Sequence, residues 1–341
     1  MQPNGSNLEI APPLVFICGH RKCGTTLVRN LLDGHGEIAV YPNDLALLYA
    51  YFPAWLRDHA EPDIRRSRLQ RILFADFANQ LRKNGAISAF DVAGLERRFF
   101  EKLTDEELGD PRAIIARLLA SFLAITGRSP SEMKASVLKE TSIEIYAPEI
   151  LDWFPHARFV QVLRDPRDNF AALAAGVDKH YALLGEDRNR TLASLIHRAR
   201  HGLRMASRNA ALLGRDRYHL LRFEDLVTEP EARMRELALF LGVTFQPILL
   251  DPTLLGRPVR ANSYEGGAHF AVSARNAGRW RERITPEEAQ TIEFHLGDEM
   301  QTFGYAPAFT AEEQARAAAE FYKWQNYAYF YSDRFVEPRE S

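Results

Sequence analysis

The sequence predicts an α/β fold with a central, mostly parallel sheet of about five strands, helices flanking it and one helical insertion. Three observations carry that expectation. Short apolar runs recur at Leu14–Cys18, Ile38–Tyr41, Ser136–Lys139, Phe159–Leu163 and Tyr218–Arg222, with helical-period segments between them. The fourth run, FVQVL, is nearly continuous in apolar residues, the pattern of a strand buried on both faces. From about Leu45 to Thr126 the pattern is mostly helical, with a looser stretch at Asn84–Gly85 and Gly94.

The first unit, Leu14–His35, organises the chain. LVFIC is followed at once by GHRKCGTT and then by LVRNLLDGH. Leu27, Val28, Leu31 and Leu32 share one helical face, so the order is strand, turn, helix. Gly19 and Gly24 let the backbone curl. Thr25 and Thr26 place hydroxyls at the helix N-terminus, and Lys22 adds a cation. A helix N-terminus with free N–H groups favours an anion, so the stretch reads as a phosphate- or sulfate-ester loop. In G-x-x-x-x-G-K-[ST] the Lys follows the second Gly; here Lys22 lies two residues before Gly24. The competing reading is a tight strand-to-helix turn with an incidental Lys.

Composition narrows the classes. The chain has 341 residues, 46% of them hydrophobic, enough for one large α/β domain or two small ones. Lys plus Arg is 43 against 45 Asp plus Glu, a net charge of −2, which argues against general nucleic-acid binding. The two cysteines, Cys18 and Cys23, fit neither a zinc site nor a disulfide framework. Reduced thiols in a cytoplasmic protein are the expectation. The polar start MQPNGSNLEIAPP has no leader pattern, and no run of 18 apolar residues occurs, so neither a signal peptide nor a membrane span is expected.

Taken in order, the second strand ends near Asp44, at the sheet edge where ligands of open parallel sheets gather. Asp44 reads either as a helix N-cap before LALLYAYF or as a functional carboxylate. The following helical stretch carries Tyr49, Tyr51, Phe52 and Trp55, expected in the core. It also carries Arg65, Arg66, Arg68 and Arg71, expected on a solvated face. Asp110–Pro111 opens a further helix. The third strand ends in Lys139, Glu140 and Thr141, facing the ligand edge or closing the strand with an ion pair. The fourth ends at Arg164, with Asp165 and Pro166 starting a helix. Arg164 is a second anion contact or a partner of Asp165 or Asp168. Leu192–Leu213 is a long basic amphipathic helix, and Thr228–Glu229–Pro230 opens another that Gly242 closes. Arg257–Arg283 is rich in Gly, Ser, Asn and Arg and reads as a long, locally cationic functional loop. Thr285, Pro286 and Glu288 then form a capping box. Residues 306–341 form an aromatic helical tail, which covers the core or meets another chain. The whole, residues 1–341, is expected as one domain with 45–130 as the insertion.

These motifs resemble the sulfotransferases that use 3′-phosphoadenosine 5′-phosphosulfate (PAPS). GHRKCGTT is similar to their 5′-phosphosulfate loop, VLRDPRDNF to their 3′-phosphate motif, and ARNAGRWRERITPEE to the C-terminal loop of many bacterial members. LLRFEDLVTEPEARMRELALFLGV matches the unit before that loop, so the resemblance runs from about Leu14 to Tyr305. It implies a P-loop-NTPase-like three-layer fold and PAPS as cosubstrate, without a metal. Lys22 then faces the bridging oxygen and 5′-phosphate, within a loop of Arg21, Lys22, Cys23, Gly24, Thr25 and Thr26. Arg164 meets the 3′-phosphate and Phe223 flanks the adenine. The family's 3′-phosphate Ser is replaced by Ala172, for which Arg275, Arg279 or another loop residue near Gly278 is expected to substitute.

The resemblance does not settle the base. Aryl and steroid enzymes place a His after the third-strand Lys; here Glu140 and Thr141 stand there. Carbohydrate-modifying members use a Glu after the second strand, and Asp44 falls at that distance from Lys22. The order of preference is Asp44, then Glu140, then His35. The implied acceptor is a carbohydrate or another small molecule with an aliphatic hydroxyl. A P-loop kinase using ATP–Mg and a non-catalytic nucleotide-binding module are the competing functions.

Overall fold

The computed structural model describes residues 13–45, 51, 61–83, 85–177, 187–259 and 272–322. Five strands form the central sheet: β1 Leu14–Cys18, β2 Ile38–Asp44, β3 Ala135–Lys139, β4 Arg158–Leu163 and β5 Tyr218–Arg222. Their spatial order is β2-β3-β1-β4-β5, and every pairing is parallel. The most apolar strand, β1, is therefore central, and all its residues are buried.

Alternation along the strands divides the core. Leu14, Phe16 and Cys18 join Tyr41, Leu138 and Phe159 on one face, under the helical insertion and α7 Ala147–Trp153. Val15 and Ile17 join Val40, Val137 and Val162 on the other, under α1 Thr25–Leu32, α10 Phe223–Thr228 and α11 Pro230–Leu241. Among the described residues the insertion contains α2 Pro62–Leu69, a π-helical segment Gln70–Ala75, α3 Asp76–Lys83, α4 Val92–Phe100, α5 Asp105–Gly109 and α6 Pro111–Thr126. Its interior is aromatic: Phe74 meets Phe99 at 5.2 Å and Phe77 meets Phe90 at 5.5 Å between ring centroids. A third cluster joins α8 Pro166–Ala174 and α9 Arg188–Leu213 to α12 Pro286–Thr302 and α13 Ala311–Tyr322.

Several elements differ from the sequence expectation. β2 continues to Asp44 through a register irregularity against β3 between Val40 and Asp44, the mark of a bulge. Pro42 and Asn43 hid that extension from a period-two reading. Asp44 is thus the strand's last residue, and the LALLYAYF segment after it lies almost wholly outside the described residues. α9 begins at Arg188, capped by Asp187 accepting from the Arg190 N–H at 2.8 Å; its first turn is polar, so apolar period alone starts it late. A hairpin of β6 Thr253–Leu254 and β7 Arg257–Pro258 was not expected. The cationic loop contains short 3₁₀ turns at Ala274–Asn276 and Arg279–Glu282, while its residues 260–271 lie outside the described residues. So do Tyr49, Phe52, Trp55 and the tail beyond 322.

Arg65 and Arg66 are not simply a solvated face. Arg65 lies over the Tyr51 ring at 5.1 Å and Arg66 over Phe100 at 5.5 Å. Each also donates to a backbone carbonyl, Leu108 O and Leu103 O respectively. Among the described residues no helix is long and apolar enough to cross a membrane.

Candidate active site

The parallel sheet delivers four strand ends to one edge: the loop after β1, Asp44, Lys139 and Arg164. The loop is shaped by backbone constraints. Gly19 has φ +129°, and a Cβ there would lie 2.4 Å from Val162 O, so no other residue fits. Gly24, at φ +109°, caps α1, and a Cβ there would lie 2.5 Å from the Phe223 ring. Lys22 itself holds φ +66°, a left-handed conformation that side chains other than Gly adopt mainly where function or packing imposes it. The first turn of α1 has no acidic residue, so no side-chain charge there offsets the helix dipole, which favours an anion.

Arg164 fixes the loop from the neighbouring strand. Its Nη1 donates to Lys22 O at 2.7 Å and its Nη2 to Asn276 O at 3.1 Å, while its guanidinium stacks over Phe223 at 4.5 Å. It makes neither sequence-level ion pair: the Asp165 carboxylate binds Arg167 at 2.6 Å, and Asp168 Oδ2 accepts from the Gly278 N–H at 2.5 Å. That last bond ties the cationic loop to the 3′-phosphate-like motif. Burial, then Arg164, then Lys139 hold the Lys22 ammonium down at about 8.

On the other side of the loop, Asn169 Nδ2 donates to Arg21 O at 2.9 Å, which orients its Oδ1 toward His20 Nδ1 at 2.7 Å. Burial, reinforced by Arg198 and Arg21, lowers His20 to about 3, so the ring is neutral. Arg21 Nη2 reaches Ser194 Oγ at 3.4 Å. Cys23 is buried and its thiol is pushed up to about 12, so it packs as a neutral group. Thr25 is buried in the first turn of α1 and Thr26 is half-buried beside it.

Asp44 stands across the edge. Lys139 Nζ donates to its two oxygens at 2.6 and 2.8 Å. The Lys139 side chain is 5% exposed and that of Asp44 45%, so the carboxylate is open to an incoming molecule while its partner is sealed. The bulge that aims Asp44 is anchored on the insertion: Tyr41 Oη donates to Leu73 O and Asn43 Nδ2 to Ile72 O, both at 2.8 Å. Both carbonyls belong to the π-helical segment, a feature frequent at functional sites. Glu140 is buried, its N–H donating to Ile17 O at 3.0 Å. His35 is removed as a base. It precedes β2 at the opposite sheet edge, where Nδ1 accepts from the Glu37 N–H at 3.1 Å and Nε2 donates to Thr244 O at 2.9 Å.

The remaining sequence candidates divide. Phe223 contacts Arg164 on its face and Gly24 at its edge. Arg279 pairs with Glu282 at 2.6 Å, and exposed Arg275 donates its backbone N–H to Ser273 Oγ at 3.2 Å. Ala172 is half-buried on α8. Sequence reasoning missed Glu144, which accepts from the Gly19 N–H at 2.9 Å and is fully buried. Its only sequence signal is a carboxylate a few residues past a polar strand end, a spacing that matches no motif. Among the described residues there is no cluster of metal-ligating side chains.

A family model described as Sulfotransferase family matches residues 13–247, which include the loop, Asp44, Lys139 and Arg164. The chain belongs to the sulfotransferase family. Curated relatives of this sulfotransferase include the omega-hydroxy-beta-dihydromenaquinone-9 sulfotransferase Stf3 of Mycobacterium bovis, 22% identical, covering 87% of this chain and 76% of that protein. Protein-tyrosine sulfotransferase 2 of Gallus gallus is 24% identical over 86% of this chain and 70% of its own. Human carbohydrate sulfotransferase 5 is 32% identical, but only over 29% of this chain and a quarter, 25%, of its own length. The fold matches the sulfotransferase domain of the curacin biosynthetic pathway with a TM-score of 0.53 at 19% identity, covering 84% of this chain and 98% of that one.

Proposed function

We propose that this sulfotransferase moves the sulfuryl group from PAPS to an acceptor hydroxyl by in-line displacement, with Asp44 as the base. The observation that carries the reading is that Lys22, in a left-handed loop at the N-terminus of α1, and the exposed Asp44 carboxylate stand at the same sheet edge. The loop N–H groups and Lys22 would hold the 5′-phosphosulfate, and Arg164 the 3′-phosphate. The acceptor oxygen forms a bond to sulfur while the bond from sulfur to the bridging oxygen breaks. The acceptor proton passes to Asp44. Negative charge builds on the bridging oxygen of the leaving bisphosphate, where Lys22 is cationic below about pH 8.

A carboxylate base that is open to solvent suits an aliphatic or sugar hydroxyl, which has a high pKa and needs its proton removed as the bond forms. The relatives' names include carbohydrates and an omega-hydroxy-menaquinone but also protein tyrosine, so the aliphatic reading rests on the carboxylate rather than on the relatives. The two buried free cysteines suit a reducing, cytoplasmic compartment. The deciding experiment is transfer of labelled sulfate from PAPS across a panel of carbohydrate, lipid and small-metabolite alcohols, beside a titration with ATP–Mg. Labelled product from PAPS supports the reading; tight ATP–Mg binding with no PAPS-dependent product replaces it with a kinase.

A further inference from the structure

The exit of β3 grips the exit of β1 through contacts that the transfer chemistry does not itself use. Ser142 N–H donates to Gly19 O at 3.0 Å, and Glu144 Oε2 accepts from the Gly19 N–H at 2.9 Å. Both backbone groups of Gly19 are therefore committed to one turn, three residues before Lys22. Ser142 holds φ +64° to make that turn, a conformation that persists only where the surroundings over-determine it. Glu144 is 1% exposed. Its backbone carbonyl accepts from Asn209 Nδ2 of α9 at 2.9 Å, and a Cβ at Gly202 would stand 3.3 Å from its Oε1. The carboxylate thus lies buried between the loop after β1 and α9.

We propose that Glu144 is a positioning residue of the donor loop, fixing Gly19 so that the N–H groups after it face the anion, and that it takes up a proton when the anionic donor binds. The inference rests on the PAPS reading above. A buried carboxylate beneath a loop that receives a polyanion is opposed by that charge, and protonation removes the repulsion while leaving a carbonyl oxygen for Gly19.

The surroundings allow this exchange near neutral pH. Burial pushes Glu144 up to about 7, opposed first by hydrogen bonds from its own N–H and from the Gly19 N–H and then by Arg198. The titratable and charged groups facing it are Cys18 on β1, Cys23 in the loop, Tyr218 on β5 and Arg198 on α9. Burial and the Glu144 charge drive the two thiols far up, and burial does the same to the Tyr218 hydroxyl, so all three stay neutral at pH 6–8. The Arg198 guanidinium stays charged. Lys22, at about 8, is the other titrating group of the loop. It also favours donor binding at lower pH, so the two must be separated.

The test is calorimetric binding of adenosine 3′,5′-bisphosphate to the full chain between pH 6 and 8. Glu144→Gln keeps the acceptor and removes the titration; Glu144→Ala removes both. If the bound anion raises Glu144 by about one pH unit, wild-type affinity falls about fivefold more over that range than Glu144→Gln affinity. Glu144→Ala should bind more weakly than Glu144→Gln throughout. Parallel wild-type and Gln profiles, or equal Ala and Gln affinities, overturn the role of Glu144 and leave the donor reading intact. If Glu144→Gln does not fold, Lys22→Arg protein is measured at pH 7 in two buffers of different ionisation enthalpy. Persistent proton uptake there supports the proposal and its absence overturns it. A wild-type protein that binds no bisphosphate at any pH overturns the donor reading itself.

Discussion

The proposed donor side and the proposed acceptor side of the site are built by opposite means. On the donor side, backbone groups decide the geometry. Gly19 is pinned by Ser142 and Glu144, Lys22 O by Arg164, and Arg21 O by Asn169. On the acceptor side, Asp44 takes its aim from side chains and packing: a bulge in β2, the Lys139 ammonium, and Tyr41 and Asn43 reaching the π-helical segment of an aromatic insertion. A loop fixed through its backbone suits a single invariant ligand group. A carboxylate fixed through an insertion can be re-aimed when the insertion changes.

The sharpest test of this division is Lys22→Ala. It removes the cation but not the loop's backbone bonds, so the chain should fold normally and lose transfer below detection. An unfolded variant would show that the donor side depends on its side chains after all. Asp44→Ala should cost roughly 10²–10⁴-fold in kcat with bisphosphate affinity unchanged. Turnover near normal would return the base role to Glu140. A fall in donor affinity would show that the two sides are not separable.

The same division explains what the sequence revealed. The five strands, the loop and Arg164 were legible because each is a short local pattern: an apolar run, a glycine-bounded turn, an Arg before Asp-Pro. Asp44 was legible only as a distance from Lys22, and the bulge that places it was not, since Pro42 and Asn43 look like a strand's end. Glu144 was invisible because its role comes from a bond across two parallel strands' exits, a relation that no local spacing encodes. The stacking of Arg65 and Arg66 on Tyr51 and Phe100 is likewise a tertiary fact. A basic helix read alone gives only a solvated face.

Core truncation separates the sides by stability. Phe77 is fully buried in the insertion, within reach of Tyr41 and Phe90. Phe77→Ala should cost about 3–5 kcal/mol by denaturant unfolding. If the insertion governs only the acceptor side, the folded fraction should bind bisphosphate normally. The pH profile gives a smaller effect. Lys22 has a lowered pKa near 8, so it is cationic below that value and neutral above it. Donor kcat/KM should therefore decline above about pH 8, approaching tenfold per pH unit. Lys22→Arg should remove that decline, because a guanidinium keeps its proton throughout.

The smallest effect is the most discriminating. Asn43→Ala removes the amide that satisfies Ile72 O but leaves Asp44, Lys139 and the donor loop in place. Losing one hydrogen bond in this half-buried setting costs about 0.5–1.5 kcal/mol of stability. If the π-helical segment aims the base, part of that loss should appear in the barrier, and about 1 kcal/mol there lowers kcat roughly fivefold. Donor KM should not move, because no donor-loop contact passes through Asn43. A variant that loses stability but keeps full kcat would show that the bulge holds Asp44 without the insertion. The insertion would then shape only the space the acceptor enters, and the carboxylate would belong with the backbone-built half of the site.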